Sequence, residues 1–404
     1  MVPTEVLDFL SNGVLNWTLW KIVVATLVMT HVTIAAVTIY LHRCQAHRAL
    51  DLHAIPAHFF RLWLWLSTGM QTKDWAAIHR KHHAKCETEE DPHSPQTRGI
   101  KKVFWQGAEL YRAEAANPET LAKYGHGTPD DWLEKNVYSR FTWHGAGVML
   151  VIDWILFGLG VGTTVWAVQM IWIPLLAAGV INGIGHYWGY RNFGSGDASR
   201  NVFPLGILIG GEELHNNHHT YATSAKLSNK WYEFDIGWLY IRILAALKLA
   251  TIKKIAPTPK FEMPRANVDL ENLQAIIAHR YDVMAKYGQS LKQAYRDEVV
   301  HLKAASADKV AQMKLARVQL ARKWLHEDVN TLGEVQRAKV SDALEHSQAL
   351  RMIHEMRSEL VQIWERSSAS RDQLLVQLQD WCKRAENSGI RALQDFSLRL
   401  RSYA

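Results

Sequence analysis

The chain has 404 residues, a formal net charge of +7, 48% hydrophobic residues and 17 tryptophans. This composition excludes an intrinsically disordered chain, is rich for a soluble protein, and leaves room for two domains. Three cysteines, Cys44, Cys86 and Cys382, offer no disulfide framework and agree with a reducing compartment.

Two apolar segments predict membrane-spanning helices. Residues 22–41 are uncharged and match the roughly 20 residues that a spanning helix needs. Residues 145–185 carry one charged side chain, Asp153, and are long enough for a hairpin of two spans that turns at the glycines near position 160. We therefore expect about three transmembrane helices. The N-terminus lacks the pattern of a cleaved signal peptide, so the first span is expected to stay in the membrane.

The distribution of cations predicts the orientation. The first twenty residues contain Glu5 and Asp8 but no Lys or Arg, whereas cations follow the first span directly. We expect the N-terminus outside and His42 inside, as in a multi-pass protein of the cell inner membrane whose residues outside the spans can face the cytoplasm. Residues 54–70 and 236–250 are apolar but short, and are predicted to lie in the interface or to cap the site.

Histidines cluster where the predicted spans leave the bilayer. The clusters are His42 and His47 in HRCQAH, His79, His82 and His83 in HRKHH, Asn182 and His186 in NGIGH, and His215, His218 and His219 in HNNHH. In the second and last clusters, the i, i+3, i+4 spacing brings three rings to one face of a helix. We expect nine imidazoles and one amide to meet at one membrane face.

Nine imidazoles exceed what one metal ion needs, since a catalytic zinc takes three protein ligands and a structural zinc four. Two redox metals, with room for water or O2, fit better. Imidazole suits iron, copper and zinc alike, so the ligand type does not choose the metal. Acidic residues near the clusters are candidates to fix the ring tautomers, namely Glu87, Glu89, Glu90, Asp91, Glu212 and Glu213.

Four residues have competing interpretations. Glu212 and His215 match the Glu-x-x-His pattern of carboxylate di-iron bundles, but such bundles need a pair of these motifs, and the sequence has one. Cys44 is interpreted as a small apolar filler rather than a thiolate ligand. His31 lies inside the first span, where an ionisable group is a functional candidate. We favour a neutral, hydrogen-bonded ring there.

The four clusters, with DPHSP after the second and GEELHNNHH around the last, resemble the histidine boxes of the membrane fatty-acyl desaturases. The resemblance is to the acyl-CoA delta-9 (stearoyl-CoA type) branch in a bacterial form, and covers roughly residues 20–250. It implies an all-α membrane protein in which the nine histidines hold two irons and Asn182 holds a water at one of them. It also implies that Trp75 lines the bend of an acyl tunnel.

The resemblance further implies O2-dependent removal of hydrogen from two adjacent methylene carbons, which leaves a cis double bond and water. Two electrons come from outside, from a reductase or an iron–sulfur protein, and no side chain acts as a nucleophile or acid–base catalyst. Two alternatives remain: a hydroxylase of alkanes, sterols or carotenoids, and a non-catalytic metal transporter or sensor. Transport would need ligands at the membrane midplane, whereas these lie at helix ends.

Two departures from the animal pattern concern the substrate headgroup and the spans. Ala77 and Ile78 stand where animal members have Arg-Asp, and one span precedes the first box instead of two. A basic rim near the boxes comprises Lys73, Arg80, Lys81, Lys85, Arg98, Lys101 and Lys102. We predict a long-chain acyl-CoA substrate that Lys101 and Lys102 help to bind, with an acyl-lipid as the alternative, because such a rim also suits anionic lipid headgroups.

The sequence changes character after the last box. Residues 1–252 are predicted to form the membrane desaturase domain, and residues 253–264, with three prolines, a linker. Residues 265–404 are polar, with apolar positions at helical spacing, and predict a helical C-terminal extension. Its charges nearly balance, which argues against nucleic-acid binding. We expect a packing or oligomerisation element, with donor docking or regulation as the alternative.

Overall fold

The computed structural model describes residues 3–305, 308–322, 324–325, 332–365 and 368–404. Most of these residues are helical and the strands are short, so the predicted predominance of helices is confirmed. The chain divides into two compact units, Met1–Ala256 and Pro257–Ala404. Residues 253–260, on either side of the division, form no helix or strand.

Helices make up most of the first unit. Its α-helices are α1 Thr4–Asn12, α2 Leu19–Ala35, α3 Ala54–Ser67, α4 Thr72–Lys85, α5 Pro95–Arg98, α6 Ile100–Ala115, α7 Pro118–Tyr124, α8 His144–Phe157, α9 Leu159–Ile173, α10 His215–Thr220 and α11 Ile236–Ala246. π-Helical segments cover Ala36–Ala46, Glu134–Tyr138 and Pro174–Gly183, and a 3-10 turn covers Ile184–His186. Strands β1 Leu50–Leu52 and β4 Ala250–Ile252 pair antiparallel, whereas β2 Leu205–Gly206 and β3 Phe234–Asp235 pair in parallel.

Helix α2 and the π-helical segment after it form one continuous apolar helix, Leu19–Ala46. Its 28 residues correspond to about 42 Å, which exceeds the roughly 30 Å hydrocarbon core of a bilayer. Two polar side chains in its first half are satisfied locally, since the hydroxyls of Thr26 and Thr30 donate to backbone carbonyls one turn earlier. This helix has the length and composition expected of the first span.

A helical hairpin forms where residues 145–185 predict one. Helices α8 and α9 meet at Gly158, whose φ of 82° favours glycine. Just beyond the turn, a Cβ on Gly162 would lie 2.4 Å from the carbonyl oxygen of Asp153. The absence of a side chain at this position therefore allows the two arms to touch.

One arm of the hairpin is shorter than a span. The returning arm, Leu159–His186, has 28 residues, whereas α8 has 14, or about 21 Å. Helix α8 starts late because residues 139–143 form turns, and because Gly145 in its first turn lies against the backbone and ring of Trp65. In the described part of the chain two helices are long and apolar enough to cross a membrane, so the predicted count of three is not confirmed.

Helix α1 and the hairpin turn lie at the same end of the first unit. The amide of Val14 donates to the carbonyl of Ile155, and a Cβ on Gly13 would meet the backbone of Leu156 at 2.5 Å. From this end, α2 leads to His42 and α9 leads to His186. The histidine clusters therefore lie at the opposite end of both long helices.

The short apolar helices α3 and α11 pack beside the first long helix. Buried Arg61 of α3 is neutralised by two ion pairs, with Asp131 at 2.6 Å and Glu134 at 3.0 Å. In α11, the hydroxyl of Tyr240 lies 2.7 Å from Nε2 of His31. This contact gives the ring inside the first span the hydrogen-bond partner that the sequence analysis expects.

The second unit is an assembly of helices with its own core. Its helices are α12 Leu270–Ala278, α13 Arg280–Ala304, α14 Lys309–Ala321, α15 Glu334–His346, α16 Gln348–Glu365, α17 Arg371–Glu386 and α18 Arg391–Leu400. Tyr287, Trp381 and Phe396 pack together in the core. The indole of Trp381 donates to the carbonyl of Met356, so its polar atom is satisfied inside this core.

Candidate metal centre

The first histidine cluster depends on a π-helix. At 100° per residue, His42 and His47 would point about 140° apart in an α-helix. In the π-helical segment Ala36–Ala46 the bonding is i to i+5, and the amide of His47 donates to the carbonyl of His42 at 3.0 Å. The two rings therefore come to one side, with centroids 4.9 Å apart. π-Helical turns occur often at functional sites for this kind of reason.

The second cluster lies on α4, which is anchored to the end of the first. Trp75, one turn before His79, stacks on that ring with centroids 4.9 Å apart. The guanidinium of Arg80 points away from the cluster and donates to the carbonyls of Gln45 and Ala46 at 2.6 and 2.9 Å. This side chain ties the second cluster to the chain segment that carries the first.

The remaining ligand candidates lie on α10 and at the end of the hairpin. His215, His218 and His219 share one face of α10, and Asn217 between them fixes the helix through Glu233 and Asn201. His186 follows the π-helical segment Pro174–Gly183 and is fully buried in the 3-10 turn.

The nine predicted histidines meet in one region of the first unit. Possible ligand atoms lie within 4.8 Å of one another in three sets: His42, His47, His79 and His218; His82, His186, His215 and His219; and His83, His218 and His219. His83 adjoins the first set most closely, since its Nε2 lies 2.8 Å from that of His218 and 3.1 Å from that of His79. The geometry thus gives five rings around one position and four around another.

Carboxylates hold the outer nitrogens of four rings. Nδ1 of His42 lies 2.8 Å from Glu212, that of His82 3.0 Å from Asp91, that of His186 3.2 Å from Glu87, and that of His219 2.8 Å from Asp197. Of the six acidic residues expected to do this, Glu87, Asp91 and Glu212 do. Glu89 and Glu90 are exposed, and Glu213 accepts from backbone amides of its own loop. Asp197 was not anticipated.

The Nε2 atoms of these rings are positioned to bind a cation. A neutral imidazole whose Nδ1 donates to a carboxylate presents a lone pair at Nε2. The Nε2 atoms of His82 and His186 are 3.2 Å apart, and both rings have a carboxylate at Nδ1. Two lone pairs would then face each other, and buried Nε2 of His219 has no partner among the described residues. Metal ions held by these rings would satisfy all three nitrogens, so the residues fit the implied metals.

Burial keeps the rings in the form that binds metal. It lowers the pKa of six of them well below 6.5, namely His47, His79, His83, His215, His218 and His219. Metal binding requires neutral imidazole. Although burial opposes ionisation of Asp91, its contacts with His82 hold the pKa of this carboxyl below its usual range. The centre therefore combines neutral rings with anionic carboxylates.

His93, in DPHSP, is a tenth imidazole that the sequence analysis did not select. Its ring stacks on His82 with centroids 4.3 Å apart, and its backbone amide donates to Asp91 at 3.0 Å. Its Nε2 is buried and has no partner among the described residues. The distance of ten residues from His83 gave no helical spacing that could have identified it.

An apolar cavity begins at the histidines. It has a volume of about 1300 Å³ including its open mouth, and His42, His79, His215, Asn182 and Trp75 line one part of it. The walls come from α6 and from the two long helices with their π-helical segments, and include Val37, Ala108, Ile173 and Ala177. The predicted tunnel residue Trp75 and the predicted water-holding residue Asn182 thus both face this cavity.

The predicted headgroup lysines lie elsewhere. Lys101 and Lys102 are exposed in the first turn of α6 and do not line the cavity. Farther along α6, Tyr111 and Arg112 do line it. The Arg112 guanidinium lies 5.7 Å from the ring of Trp143, which is 60% exposed and also lines the cavity. These two exposed side chains mark a mouth of the cavity.

Comparison with known proteins agrees with this site. The family described as fatty acid desaturase matches residues 18–259, and a family described as transposase matches residues 269–404. Delta-9 acyl-lipid desaturase 2 of Arabidopsis thaliana is 29% identical over 54% of this chain and 70% of its own length. Delta-9 desaturase-like 3 protein of the same plant is 31% identical over 54% of this chain and 72% of its own length. The sn-1 stearoyl-lipid 9-desaturase of Anabaena variabilis is 29% identical over 54% of this chain and 79% of its own length. The first of the two family matches covers more than half of the chain, and the chain therefore belongs to the fatty acid desaturase family.

Proposed function

We propose that this protein introduces a cis double bond at the delta-9 position of a saturated long-chain acyl group. Membership of the family makes it an oxidoreductase of lipid metabolism that depends on iron and associates with membranes. The observation that carries the finer proposal is the cavity, which is apolar along its walls and places two groups of imidazoles beside the same space.

Two irons would be divided between the two groups of rings. His42, His47, His79, His83 and His218 would hold one, and His82, His186, His215 and His219 the other, with Asn182 at a water of the second. When bound, the irons supply activation of O2 with two external electrons. A redox partner of the reductase or iron–sulfur type would deliver these electrons on the cytoplasmic side of the inner membrane.

The contribution of the chain itself is positioning. An unactivated methylene has no donor or acceptor with which a side chain can form a hydrogen bond. The shape of the cavity must therefore decide which carbons face the metals. Trp75, held by its stacking on His79, forms a rigid wall at this point. The apolar walls of Val37, Ile173 and Ala177 exclude water from the reacting carbons.

For the form of the substrate, an acyl-lipid has the stronger support. The sequence analysis favours acyl-CoA, but Delta-9 acyl-lipid desaturase 2 and sn-1 stearoyl-lipid 9-desaturase, which share 29% identity with this chain, carry lipid substrates in their names. The cavity mouth at Arg112 and Trp143 fits this form, because Trp and Arg side chains are typical of the membrane interface. Acyl-CoA remains the alternative.

The test is expression in a host that lacks monounsaturated lipids. Growth without added oleate, and a cis-9 monounsaturated acyl chain in extracted phospholipid, are expected for the native chain. The His218→Ala variant should give neither. A hydroxylated acyl chain in place of the double bond would contradict the proposal. Purified protein given a reductase and labelled chains, as stearoyl-CoA or as phosphatidylethanolamine, then decides between the two substrate forms.

A further inference from the structure

A loop in water usually exposes polar side chains, whereas the loop Asn201–Gly211 exposes apolar ones. Its sequence, NVFPLGILIGG, has no charged residue. Its exposed side chains are large and apolar: Phe203 is 54% exposed, Leu205 45%, Ile207 41% and Leu208 72%. A contiguous set of this kind is rare on soluble proteins and marks an interaction surface.

Backbone groups of this loop form hydrogen bonds with other residues of the first unit. The amides of Ile209 and Gly211 donate to the carboxylate of Glu213 at 2.8 and 3.1 Å. The carbonyl of Gly210 accepts from the hydroxyl of Thr38 and from the guanidinium of Arg43. Strand β2, inside the loop, pairs with β3. These groups do not depend on water for their hydrogen bonds, which is the condition for backbone to enter an apolar medium.

Gly210 fixes the depth of the loop along the first long helix. A Cβ there would lie 2.7 Å from Cγ2 of Thr38 and 3.0 Å from Cγ2 of Ile34. Thr38 and Ile34 lie at most about 12 and 18 Å below Ala46, since the π-helical segment rises less per residue than an α-helix. With Leu19 placed at the far edge of the bilayer core, the excess of about 12 Å lies at the histidine end, and the loop meets the helix near the edge of that core.

We propose that the loop Asn201–Gly211 inserts into the bilayer leaflet nearest to the histidines, with Phe203 and Leu208 among the acyl chains. The loop is too short to span, since a spanning helix needs about 20 residues, so it dips and returns. Trp231, which is 96% exposed, lies three residues before β3, the strand that pairs with β2 of the loop. An exposed tryptophan near the loop suits an interfacial anchor. The inference concerns attachment and does not require the proposed reaction.

The insertion joins the membrane to the metal centre through one short segment. Ile209, on the buried side of the loop, lines the cavity. Glu212, directly after the loop, holds His42. Contact with lipid therefore steadies a segment that both walls the cavity and orients a proposed ligand.

The test measures how deeply position 208 lies in the bilayer, in the intact chain. A Leu208→Cys variant is labelled with an environment-sensitive fluorophore and reconstituted in vesicles of phosphatidylethanolamine and phosphatidylglycerol. Leu27→Cys, 51% exposed on the first long helix, is the control inside the membrane. Asp130→Cys, with a side chain 79% exposed, is the control in water. The parent chain, labelled in parallel, gives the signal of its own three cysteines.

We expect the label at position 208 to behave like that at position 27, with quenching by doxyl-labelled lipid and little quenching by aqueous iodide. Quenching by iodide as strong as at position 130 overturns the proposal. So does a label that is open to iodide in vesicles and becomes protected only when a soluble redox protein is added, since the loop would then be a protein-docking surface. Desaturase activity does not enter any of these readouts.

Discussion

Nδ1 of His42 lies 2.8 Å from Oε1 of Glu212, although the two residues are far apart in the sequence. The same carboxylate accepts a short hydrogen bond from the hydroxyl of Thr38, and both partners are buried. Glu212, which lies just before the last histidine cluster, thus fixes the ring orientation of His42 in the first cluster. The structure assigns Glu212 a positioning role, which differs from the direct ligand role of a Glu-x-x-His motif.

Replacing Glu212 with Gln should therefore weaken the centre without removing a ligand. The amide can still contact His42, but it cannot anchor the donated proton as a carboxylate does. Loss of such an outer partner costs about 10- to 100-fold in metal affinity or activity. Iron content after dialysis against a mild chelator measures the effect, and Glu89→Gln, an exposed neighbour of the second box, is the matched control. Equal iron retention in both variants would contradict this role.

His83 gives a second test because it touches both groups of rings. Its Nε2 lies 2.8 Å from that of His218, and its ring stacks on His219 with centroids 4.3 Å apart. We expect purified native chain to hold close to two irons. His83→Ala should lose more than one of them and all activity while still inserting in the membrane. Exposed His58→Ala should change neither quantity, and a single tightly bound zinc in the native chain would exclude a di-iron centre.

The helical faces of the second and last clusters could be predicted because their spacing is local. The positions i, i+3 and i+4 lie on one face whatever the tertiary fold, and His79, His82 and His83 on α4 follow that rule. The pair His42 and His47 does not, since a separation of five residues fits an α-helix poorly. That misfit was itself a signal for the π-helix, which the sequence analysis did not use.

What could not be predicted depends on contacts distant in sequence. Asp197 holds His219 from a loop with no regular spacing to it. Helix α8 looked like part of a full span because its composition is apolar, yet the approach of Trp65 to Gly145 sets where it begins. Lys101 and Lys102 seemed suited to a headgroup by proximity in sequence, whereas the rotation of α6 turns Tyr111 and Arg112 to the cavity instead.

Asp74 provides a prediction about pH. Burial raises the pKa of this carboxyl to about 6 from a usual value of 3.8, so the folded chain favours the neutral acid. Ionisation of this buried carboxyl destabilises the folded chain. The loss of stability is absent below about pH 3.8, grows as the pH rises to about 6, and is complete above that. Because the group is partly exposed, we expect Asp74→Asn to stabilise the chain by about 1–2 kcal/mol at pH 8, and by about a third of that at pH 4.5.

Thermal unfolding in detergent at these two pH values measures that difference. The matched control is Asp130→Asn, which replaces an exposed carboxylate paired with Lys135. It should change stability little at either pH. A gain for Asp74→Asn that is the same at pH 4.5 and pH 8 would mean that packing, and not ionisation, explains the effect.

The last prediction concerns the headgroup and separates two basic sites on α6. Arg112 lines the cavity mouth and lies against Trp143, whereas Lys101 and Lys102 are exposed in the first turn. A phosphate on the substrate, whether of a phospholipid or of CoA, is bound equally in the ground and transition states. Removing its partner should therefore raise KM and leave kcat nearly unchanged. We expect Arg112→Ala to raise KM about tenfold, since a charge-assisted contact contributes about 1.5 kcal/mol.

Arg112→Lys should recover part of this loss, because it keeps the charge but not the planar group that lies over the ring of Trp143. Arg140→Ala is the matched control: this exposed guanidinium also lies over a ring, that of Phe141 at 5.4 Å, but does not line the cavity. Steady-state kinetics with stearoyl-CoA and with stearoyl phosphatidylethanolamine show which substrate responds. If the Lys101→Ala, Lys102→Ala double variant raises KM while Arg112→Ala does not, the headgroup lies over the first turn of α6, and the mouth at Arg112 has another use.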